Sequence, residues 1–352
     1  MFIHIMTSEN YYHISFIKFI ERNFSTKQHH FVFRSKNTKR SNYKETTSIK
    51  EKPNFISLIL FIPQLFRAKR IYIHYLPYGI SLPFWVIFSL LSKKLVWIFW
   101  GGDIYIYNEK NNNLKTRFYE LCRKIIIRRL GNIAGFLTED FNLIKKIYKT
   151  DAAYTKTIYP LPINFTELSQ GENVSKGKTI KILAGNSADP SNNHFELLHI
   201  LERFKDEDIQ VICPLSYGRD AAYSLRVNDE GFRVLGEKFK PLLHLLPPTE
   251  YSKILQEVDI AIMNHQRQQG LGNLISILWL GKKVFVRSDT TTFSYFKSEG
   301  IAVWDTLDIK NQSFESFILM NPNDAIKNKT LVLNVFSEHH YIELWSNVFS
   351  VK

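Results

Sequence analysis

The sequence alternates between short apolar runs and longer amphipathic stretches, and this alternation restricts the chain to few folds. The runs are four to seven residues long and rich in β-branched and aromatic residues, which is typical of buried strands. Strands that alternate with helices form parallel sheets covered by helices. The predicted strands are 2–6, 30–34, 70–75, 94–100, 135–139, 154–159, 179–185, 209–215, 232–236, 259–263, 282–288 and 301–304.

A polar segment with proline and glycine, residues 161–178, interrupts this alternation and is typical of a linker. A chain of 352 residues is long enough for two cores. We therefore predict an α/β architecture, with two Rossmann-like, doubly wound parallel-sheet domains facing a cleft. The predicted boundaries are 1–160, the linker, 179–335 and a closing segment, 336–352. Ligands bind beyond the carboxyl ends of such strands, so the loops there are the expected site.

Composition narrows the class of protein. The content is 45% hydrophobic and 22% charged, as in globular proteins. The two cysteines, Cys122 and Cys213, are too far apart for a disulfide framework or a metal motif. The N-terminus has neither a basic n-region nor a long apolar h-region, which predicts cytoplasmic residence.

Positive charge is concentrated in the first half. Residues 1–150 contain 25 Lys and Arg against 9 Asp and Glu, a net +16, whereas residues 151–352 contain 21 against 24, a net −3. The densest cluster, 115–131, indicates either a solvated helix face or docking to anionic lipid or a lipid-linked phosphate. The apolar runs 55–66 and 80–91 are either core helices or segments that insert partly into a membrane surface. No nucleic-acid partner is predicted, because no nucleic-acid-binding motif is present.

The loop ILAGNSADPSNNHFELL, residues 182–198, follows a predicted strand and leads into a helix. Its small and Asx residues permit tight turns and leave backbone N–H groups available for a phosphate. The same residues also serve as ordinary helix caps, so a structural role stays open. The candidate phosphate-binding residues of this loop are Gly185, Asn186, Ser187, Asp189, Asn192 and His194.

A second loop, NHQRQQGLGNL in residues 264–274, follows the predicted strand 259–263. Its glycines allow a ligand to approach the backbone where a helix begins, and its arginine supplies a fork-shaped cation for a diphosphate. Glycines required by a tight turn are the alternative. Five of the six positions 267–272 hold such residues directly after a strand, which favours an anion site for a leaving group. The candidate anion-binding residues of this loop are Arg267, Gln268, Gln269, Gly270 and Gly272.

A third loop, VWIFWGGDIYIY in residues 96–107, places an acid after an aromatic strand. Proximity to tryptophans predicts a raised pKa for Asp103, which suits proton transfer near neutral pH. The alternative is that Asp103 caps the next segment. His74 ends a neighbouring strand and either shares the site or is structural. The other candidate site residues around this loop are His74, Trp100, Gly102 and Tyr105.

Together, the strings ILAGNSADPSNNH, DIAIMNHQRQQGLGNL and WIFWGGDIY resemble the 4-acetamido-4,6-dideoxygalactose transferases of enterobacterial common antigen synthesis, glycosyltransferase family 56. The resemblance runs in order over most of the chain. It implies a GT-B glycosyltransferase with no bound metal or cofactor, which uses a dTDP-sugar donor. The implied acceptor is an undecaprenyl-diphosphate-linked oligosaccharide, with the enzyme peripheral on the anionic cytoplasmic face of the inner membrane. In such enzymes the second domain binds the nucleotide sugar and the first binds the acceptor, so the candidates of the first two loops would contact the donor and those of the third loop the acceptor. A final helix, here in 336–352, often packs back on the first domain.

The resemblance also suggests a mechanism. The diphosphate would depart into the two glycine-bearing loops, whose donors stabilise the charge that develops in an oxocarbenium-like transition state. Asp103 is predicted to be the base for the acceptor hydroxyl if the configuration inverts, and to position the acceptor if it is retained. Tyr217 and Glu250, predicted at loop positions, would contact the ribose or the base.

Two other classes of protein are alternatives. A non-catalytic peripheral membrane or nucleic-acid-binding protein would use the basic half and show salt-sensitive binding to phosphate polymers. A nucleotide-dependent epimerase is disfavoured, because no GxGxxG sequence follows the first predicted strand.

Overall fold

The computed structural model describes residues 1–7, 10–33, 49–51, 55–77, 79–105, 113–161, 163, 165, 168, 179–218 and 221–351. Of the linker predicted over 161–178, only residues 161, 163, 165 and 168 are among them. The chain divides into two compact units. Unit 1 comprises Met1–Pro162 and Glu338–Lys352, and unit 2 comprises Ile163–Ser337.

Unit 1 contains a parallel seven-stranded sheet with the strand order β3-β2-β1-β4-β5-β6-β7. Apolar side chains fill both faces, as expected of a parallel sheet. The strands are β1 (Phe2–Met6), β2 (His29–Phe33), β3 (Ile49–Glu51), β4 (Arg70–His74), β5 (Leu95–Ile98), β6 (Asn132–Gly135) and β7 (Ala153–Lys156). The helices are α1 (Tyr11–Asn23), α2 (Phe55–Arg67), α3 (Leu82–Leu91), α4 (Gly101–Ile104), α5 (Leu114–Arg129) and α6 (Thr138–Tyr148).

Unit 2 contains a parallel six-stranded sheet with the order β10-β9-β8-β11-β12-β13. The strands are β8 (Ile180–Ala184), β9 (Ile209–Pro214), β10 (Phe239–Leu242), β11 (Ile260–Met263), β12 (Lys283–Val286) and β13 (Trp304–Asp305). The helices are α7 (His194–Glu202), α8 (Ala221–Leu235), α9 (Pro248–Glu257), α10 (Leu271–Trp279), α11 (Thr291–Ser298), α12 (Phe314–Ile318) and α13 (Pro322–Val335).

The last helix, α14 (Glu338–Ser350), belongs to unit 1. Its Trp345 is fully buried against Phe16 of α1 and donates from Nε1 to the carbonyl oxygen of Ile158 at 2.9 Å. Phe349 stacks on Phe2 of β1. These contacts cover the sheet face opposite the one that packs on α3 and α5.

Two predicted strands were wrong. Residues 232–236 are strand-like in composition but form the end of α8, whose buried positions Tyr223, Val227, Gly231 and Val234 follow helical spacing. The strand predicted at 135–139 is wrong in position, because β6 is Asn132–Gly135 and α6 already begins at Thr138. The strands β3 and β10 were not predicted. None of the described helices has the length and apolarity that crossing a membrane requires.

Candidate active site

The two donor-side loops follow β8 and β11, which are adjacent strands at the point where the order of the unit 2 sheet reverses. Ligands of doubly wound sheets bind in the crevice that forms at such a reversal. The backbone N–H of Gly185 donates to the carbonyl oxygen of Ile262 at 2.9 Å, so the first loop leaves β8 beside the end of β11. The structure therefore brings together the loops that the sequence analysis selected separately.

Gln269 joins the two loops through its side chain. Its Nε2 donates to Asn186 Oδ1 and to Ser187 Oγ, both at 3.1 Å. Its Oε1 accepts from Ser191 Oγ at 2.5 Å. The backbone adds one more bond, from the N–H of Gln266 to the carbonyl oxygen of Ser191 at 3.0 Å. These bonds fix the relative position of the loops, so both present their backbones to one region.

Asn192 is a second connection, and its hydrogen bonds show that it holds the loops together. Its Oδ1 accepts from the backbone N–H of Asn186 at 2.9 Å and from His265 Nε2 at 2.8 Å. Its Nδ2 donates to Ser187 Oγ at 3.2 Å and to the carbonyl oxygen of Asp189 at 3.0 Å. Since an amide oxygen only accepts, Nε2 carries the proton of His265. Burial, followed by the charge of Arg267, lowers the pKa of His265 to about 3, so this imidazole is neutral.

Gly185 and Gly270 are required by the backbone. Their φ angles are +72° and +66°, in the left-handed region that favours glycine. A Cβ on Gly185 would lie 2.8 Å from Asn192 Oδ1 and 2.9 Å from His194 Nε2. A Cβ on Gly270 would lie 3.0 Å from His265 Cε1. Gly270 is also the N-cap of α10, and Gly272 is the second residue of that helix. The positive end of the α10 dipole therefore begins between the two loops.

Arg267 lies at this site with most of its side chain covered. Its Nη2 is 3.7 Å from Asp189 Oδ1, and both side chains are 19% exposed. Its Nη1 donates to the carbonyl oxygen of Gln268 at 3.4 Å. Asp189 Oδ1 also accepts from the backbone N–H of Ser191 at 3.0 Å, which fixes the carboxylate. Arg267, the cation predicted from the sequence, therefore lies beside Asp189 of the loop after β8.

His194, the first residue of α7, adds a buried polar atom. Its Nδ1 lies 3.1 Å from Tyr223 Oη, while its Nε2 has no hydrogen-bond partner among the described residues. Burial lowers the pKa of His194 to about 4, so the ring is neutral near pH 7. Because Nε2 is directed at Gly185, this atom is available to a group at the first loop.

The two predicted ribose or base contacts differ in position. Tyr217, half exposed after β9, accepts from Asn186 Nδ2 at its Oη at 3.2 Å, and therefore joins the network of the first loop. Glu250 is exposed in the first turn of α9, so its assignment to a loop was wrong. The next residue, Tyr251, accepts from Asn273 Nδ2 of α10 at 2.9 Å.

A charged cluster after β12 was not predicted from the sequence. Arg287 pairs with Glu196 of α7 at 2.6 Å and with Asp289 at 2.9 Å. Asn264, the first residue after β11, donates to the same Glu196 at 3.0 Å. The signal that was available is positional, since Arg287 directly follows a buried strand.

In unit 1, Asp103 is fully buried and accepts three hydrogen bonds. Its Oδ2 accepts from the backbone N–H of Leu76 at 2.8 Å and from Trp97 Nε1 at 2.7 Å. Its Oδ1 accepts from the backbone N–H of Trp100 at 2.7 Å. Burial raises the pKa of Asp103 to about 6, against the opposing effects of Arg123 and these donors. The raised pKa agrees with the sequence expectation. The contacts favour the alternative in which Asp103 caps α4, and its role as a base stays a prediction.

Arg123 on α5 is fully buried beneath this loop, whereas the charge pattern of 115–131 suggested an exposed cation. Its Nη2 donates to the carbonyl oxygen of Asp103 at 2.7 Å, and its Nε lies 3.4 Å from Glu120. Helical spacing could have revealed this position, because Arg123 lies on the same stripe as the buried Ile127.

His74 belongs to a buried row of three imidazoles across β2, β1 and β4. His4 Nδ1 lies 2.9 Å from His74 Nε2, and His4 Nε2 lies 2.9 Å from His29 Nδ1. Burial, followed by the neighbouring histidines, holds the pKa of His4 and His74 well below the usual value. Burial also lowers the pKa of His29 to about 4. Each contact therefore shares one proton between neutral rings.

The other acceptor-side candidates lie around the same loop. Trp100 is half-buried, with its ring 4.8 Å from that of Tyr159. A Cβ on Gly102 would meet Tyr75 at 3.6 Å, an ordinary contact. Tyr105 donates from Oη to Asp140 Oδ1 at 3.3 Å. Among the residues that the structure describes, no group of three or more His, Cys, Asp or Glu side chains is arranged to hold a metal ion.

Several solved structures share this architecture over nearly the whole chain. Anabaena HepE in complex with UDP and glucose is similar at a TM-score of 0.73 and 10% identity, covering 99% of both chains. Sucrose-phosphate synthase of Thermosynechococcus elongatus is similar at 0.72 and 10%, covering 99% of this chain and 98% of its own. The α,α-trehalose-phosphate synthase (UDP-forming) of Burkholderia xenovorans is similar at 0.68 and 8%, covering 99% of both chains. The predicted GT-B fold is therefore confirmed.

The match at the level of sequence is to one family and extends over nearly the whole chain. A family model described as "4-alpha-L-fucosyltransferase glycosyl transferase group 56" matches residues 1–349. A glycosyltransferase of this fold requires a nucleotide-sugar donor and an acceptor. The chain therefore belongs to glycosyl transferase group 56, the family that its loop motifs resemble, and is a nucleotide-sugar glycosyltransferase.

Proposed function

We propose that the protein transfers 4-acetamido-4,6-dideoxygalactose from a dTDP-sugar to an undecaprenyl-diphosphate-linked oligosaccharide in the synthesis of a bacterial surface polysaccharide. The observation that carries the donor half is the pairing of the β8 and β11 loops, with Arg267 beside two left-handed glycines and the start of α10. The similar Anabaena HepE structure contains UDP, which supports a nucleoside diphosphate as the ligand of this fold.

The proposed site binds the diphosphate with groups that are already fixed. Backbone N–H groups at the start of α10 offer hydrogen bonds and a positive dipole end to the phosphates. Arg267 adds a fork of charged donors and turns from Asp189 to the diphosphate when the donor binds. His194 Nε2 faces the turn at Gly185 and contributes one more polar contact. These groups stabilise the negative charge that develops on the leaving diphosphate as the glycosidic bond of the donor breaks.

The acceptor half of the proposal is assigned to residues 1–160, with the donor in 179–335. The net charge of +16 on residues 1–150 suits an acceptor that carries a diphosphate. Asp103 lies at the carboxyl end of β5, in the acceptor-side loop. Its three hydrogen bonds support a role in holding that loop in place. The lipid-linked acceptor places the enzyme on the cytoplasmic face of the inner membrane.

Ligand-dependent thermal stability tests the donor. A ligand that binds only the folded state raises the melting temperature. We expect dTDP to raise it more than UDP or GDP at equal concentration, and we expect Arg267→Ala to remove most of that rise. A preference for UDP or GDP would contradict the dTDP donor. An unchanged rise in Arg267→Ala would contradict the diphosphate site.

A further inference from the structure

The helices α3 and α5 form one outer layer of unit 1. They connect β4 to β5 and β5 to β6, and right-handed crossovers that progress in the same direction place both helices on the same sheet face. Arg129 Nε of α5 donates to the carbonyl oxygen of Ser89 of α3 at 3.2 Å. Trp85 of α3 and Ile126 of α5 share the core beneath them. Both helices therefore present their remaining side to the outside of the unit.

That outer side is unusually apolar. In and just before α3, Ile80 is 81% exposed, Ile87 60% and Leu90 52%. The spacing of Ile87 and Leu90 places them on one stripe of α3, and Ile80 lies in the turn that precedes the helix. On α5, Leu114 is 82% exposed, Phe118 49% and Leu121 55%, again with helical spacing. We call these six residues, with the exposed cations around them, the docking face.

Cations surround the apolar side chains. The exposed residues are Lys93 after α3 and Lys115, Arg117, Lys124, Arg128 and Arg129 on α5. The nearby acid Glu120 is half-buried and pairs with the buried Arg123 at 3.4 Å, so it is directed toward the core. Long basic side chains place apolar stems beside an apolar stripe and carry their charges to its rim.

We infer that the docking face binds the surface of a bilayer that contains anionic phospholipids. The large apolar side chains enter the boundary between headgroups and acyl chains, and the rim cations contact the lipid phosphates. A symmetric contact with a second copy of this chain is disfavoured, because it would bring two sets of like charges together. The inference deepens the proposed function, since a lipid-linked acceptor requires the enzyme at a membrane, but it is tested without donor or acceptor.

Cosedimentation of the full chain with vesicles tests the docking face. One set of vesicles is 25% phosphatidylglycerol in phosphatidylcholine, and the other is phosphatidylcholine alone. We expect binding to the anionic vesicles that weakens with added salt. The double variant Phe118→Ser and Leu121→Ser should lower the partition coefficient at least about tenfold, since each of these half-exposed apolar side chains contributes about three- to tenfold.

A charge variant separates the two contributions. Arg117→Gln with Lys124→Gln should lower the affinity for anionic vesicles about 25-fold, because each cation near an anionic surface contributes about fivefold. Leu225→Ser with Leu245→Ser is the matched control. These residues of unit 2 are 64% and 76% exposed, so the control removes similar apolar surface from outside the docking face. It should bind like the wild type.

Three results would overturn the inference. They are absence of binding to anionic vesicles, loss of binding in the unit 2 control equal to that in the Phe118 and Leu121 variant, and a dimer without vesicles that the same variant converts to a monomer. Melting temperatures of all variants verify that they are folded. Failure of this inference is distinguishable from failure of the proposed function, because dTDP binding in solution does not use the docking face.

Discussion

The reversal points of the two sheets have the same topology but different chemistry. In unit 2 the loops after β8 and β11 contain amides, hydroxyls, glycines and one arginine, partly open to solvent. In unit 1 the order reverses between β1 and β4, where the buried His74 ends β4, and the neighbouring loop after β5 contains Trp100 and the fully buried Asp103. A shared fold therefore does not assign a shared role. Glycines and fixed N–H donors suit an anion, whereas a buried and fully bonded acid suits a rigid support.

The largest expected effect is that of replacing Arg267, the cation of the unit 2 loops. Arg267→Ala should lower the rate of sugar transfer about 100- to 1000-fold, the range seen when a donor that stabilises developing charge is removed. Transfer from the dTDP-sugar, followed with radiolabelled sugar, measures it. Arg233→Ala is the control, because Arg233 lies on the surface of α8 in an exposed pair with Glu230. Comparable activity in the Arg267 and Arg233 variants would contradict the anion-binding role that distinguishes the unit 2 loops from those of unit 1.

The glycines provide the next comparison. Gly185→Ala should destabilise unit 2 by about 2 kcal/mol or more, because the left-handed conformation and the contact with Asn192 both oppose a Cβ. Gly102→Ala in unit 1 should change stability by about 0.5 kcal/mol at most, since its Cβ meets only an ordinary contact. Urea unfolding of both variants tests this, and equal destabilisation would contradict it.

Asp103→Asn separates support from proton transfer. An amide at this position presents an NH₂ group to one of the three donors, so we expect about 1–3 kcal/mol of lost stability. If support is its main role, the transfer rate of the folded variant should fall less than tenfold. A loss of about 1000-fold or more at unchanged stability would instead identify Asp103 as the base.

Acid should destabilise unit 1 through its imidazole row. The pKa of His29 is lowered to about 4, so its stabilisation is fully present above about pH 6.5 and is lost as the pH falls toward 4. Asp103 acts in the opposite direction, because its pKa is raised to about 6. Between pH 7.5 and 5.5, His29→Phe should lose about 1.4 kcal/mol less of its unfolding free energy than the wild type. An identical loss would show that the pKa of His29 is the same in the folded and the unfolded protein.

The smallest expected effect is a gain in the affinity for dTDP. Asp189→Asn retains an oxygen that can accept from Ser191 but removes the charge beside Arg267 and the repulsion toward a diphosphate. We expect dTDP to bind about three- to tenfold more tightly, consistent with about 1 kcal/mol for a partly exposed ion pair. Isothermal titration calorimetry measures it. Weaker binding would mean that Asp189 itself contacts the donor favourably.

Much of the donor side could be predicted because its signals are local. A strand followed by small residues and a helix start is visible in the residues of each loop, and both loops were placed correctly at strand ends. The reversal of strand order was not visible, because it depends on which strands pair. For the same reason, the bonds of Asn192 and Gln269 across 73 and 83 positions of sequence were beyond local reasoning.

The amino-acid sequence by itself determined the alternation of strands and helices, the glycines at left-handed positions and the asymmetry of charge. These follow from periodicity and composition, which act over a few residues. The tertiary structure alone decided that Asp103 and Arg123 are buried together, that three histidines form one row, and that α3 and α5 share an exposed face. Pairing between distant segments arises only when those segments pack, so no local pattern specifies it.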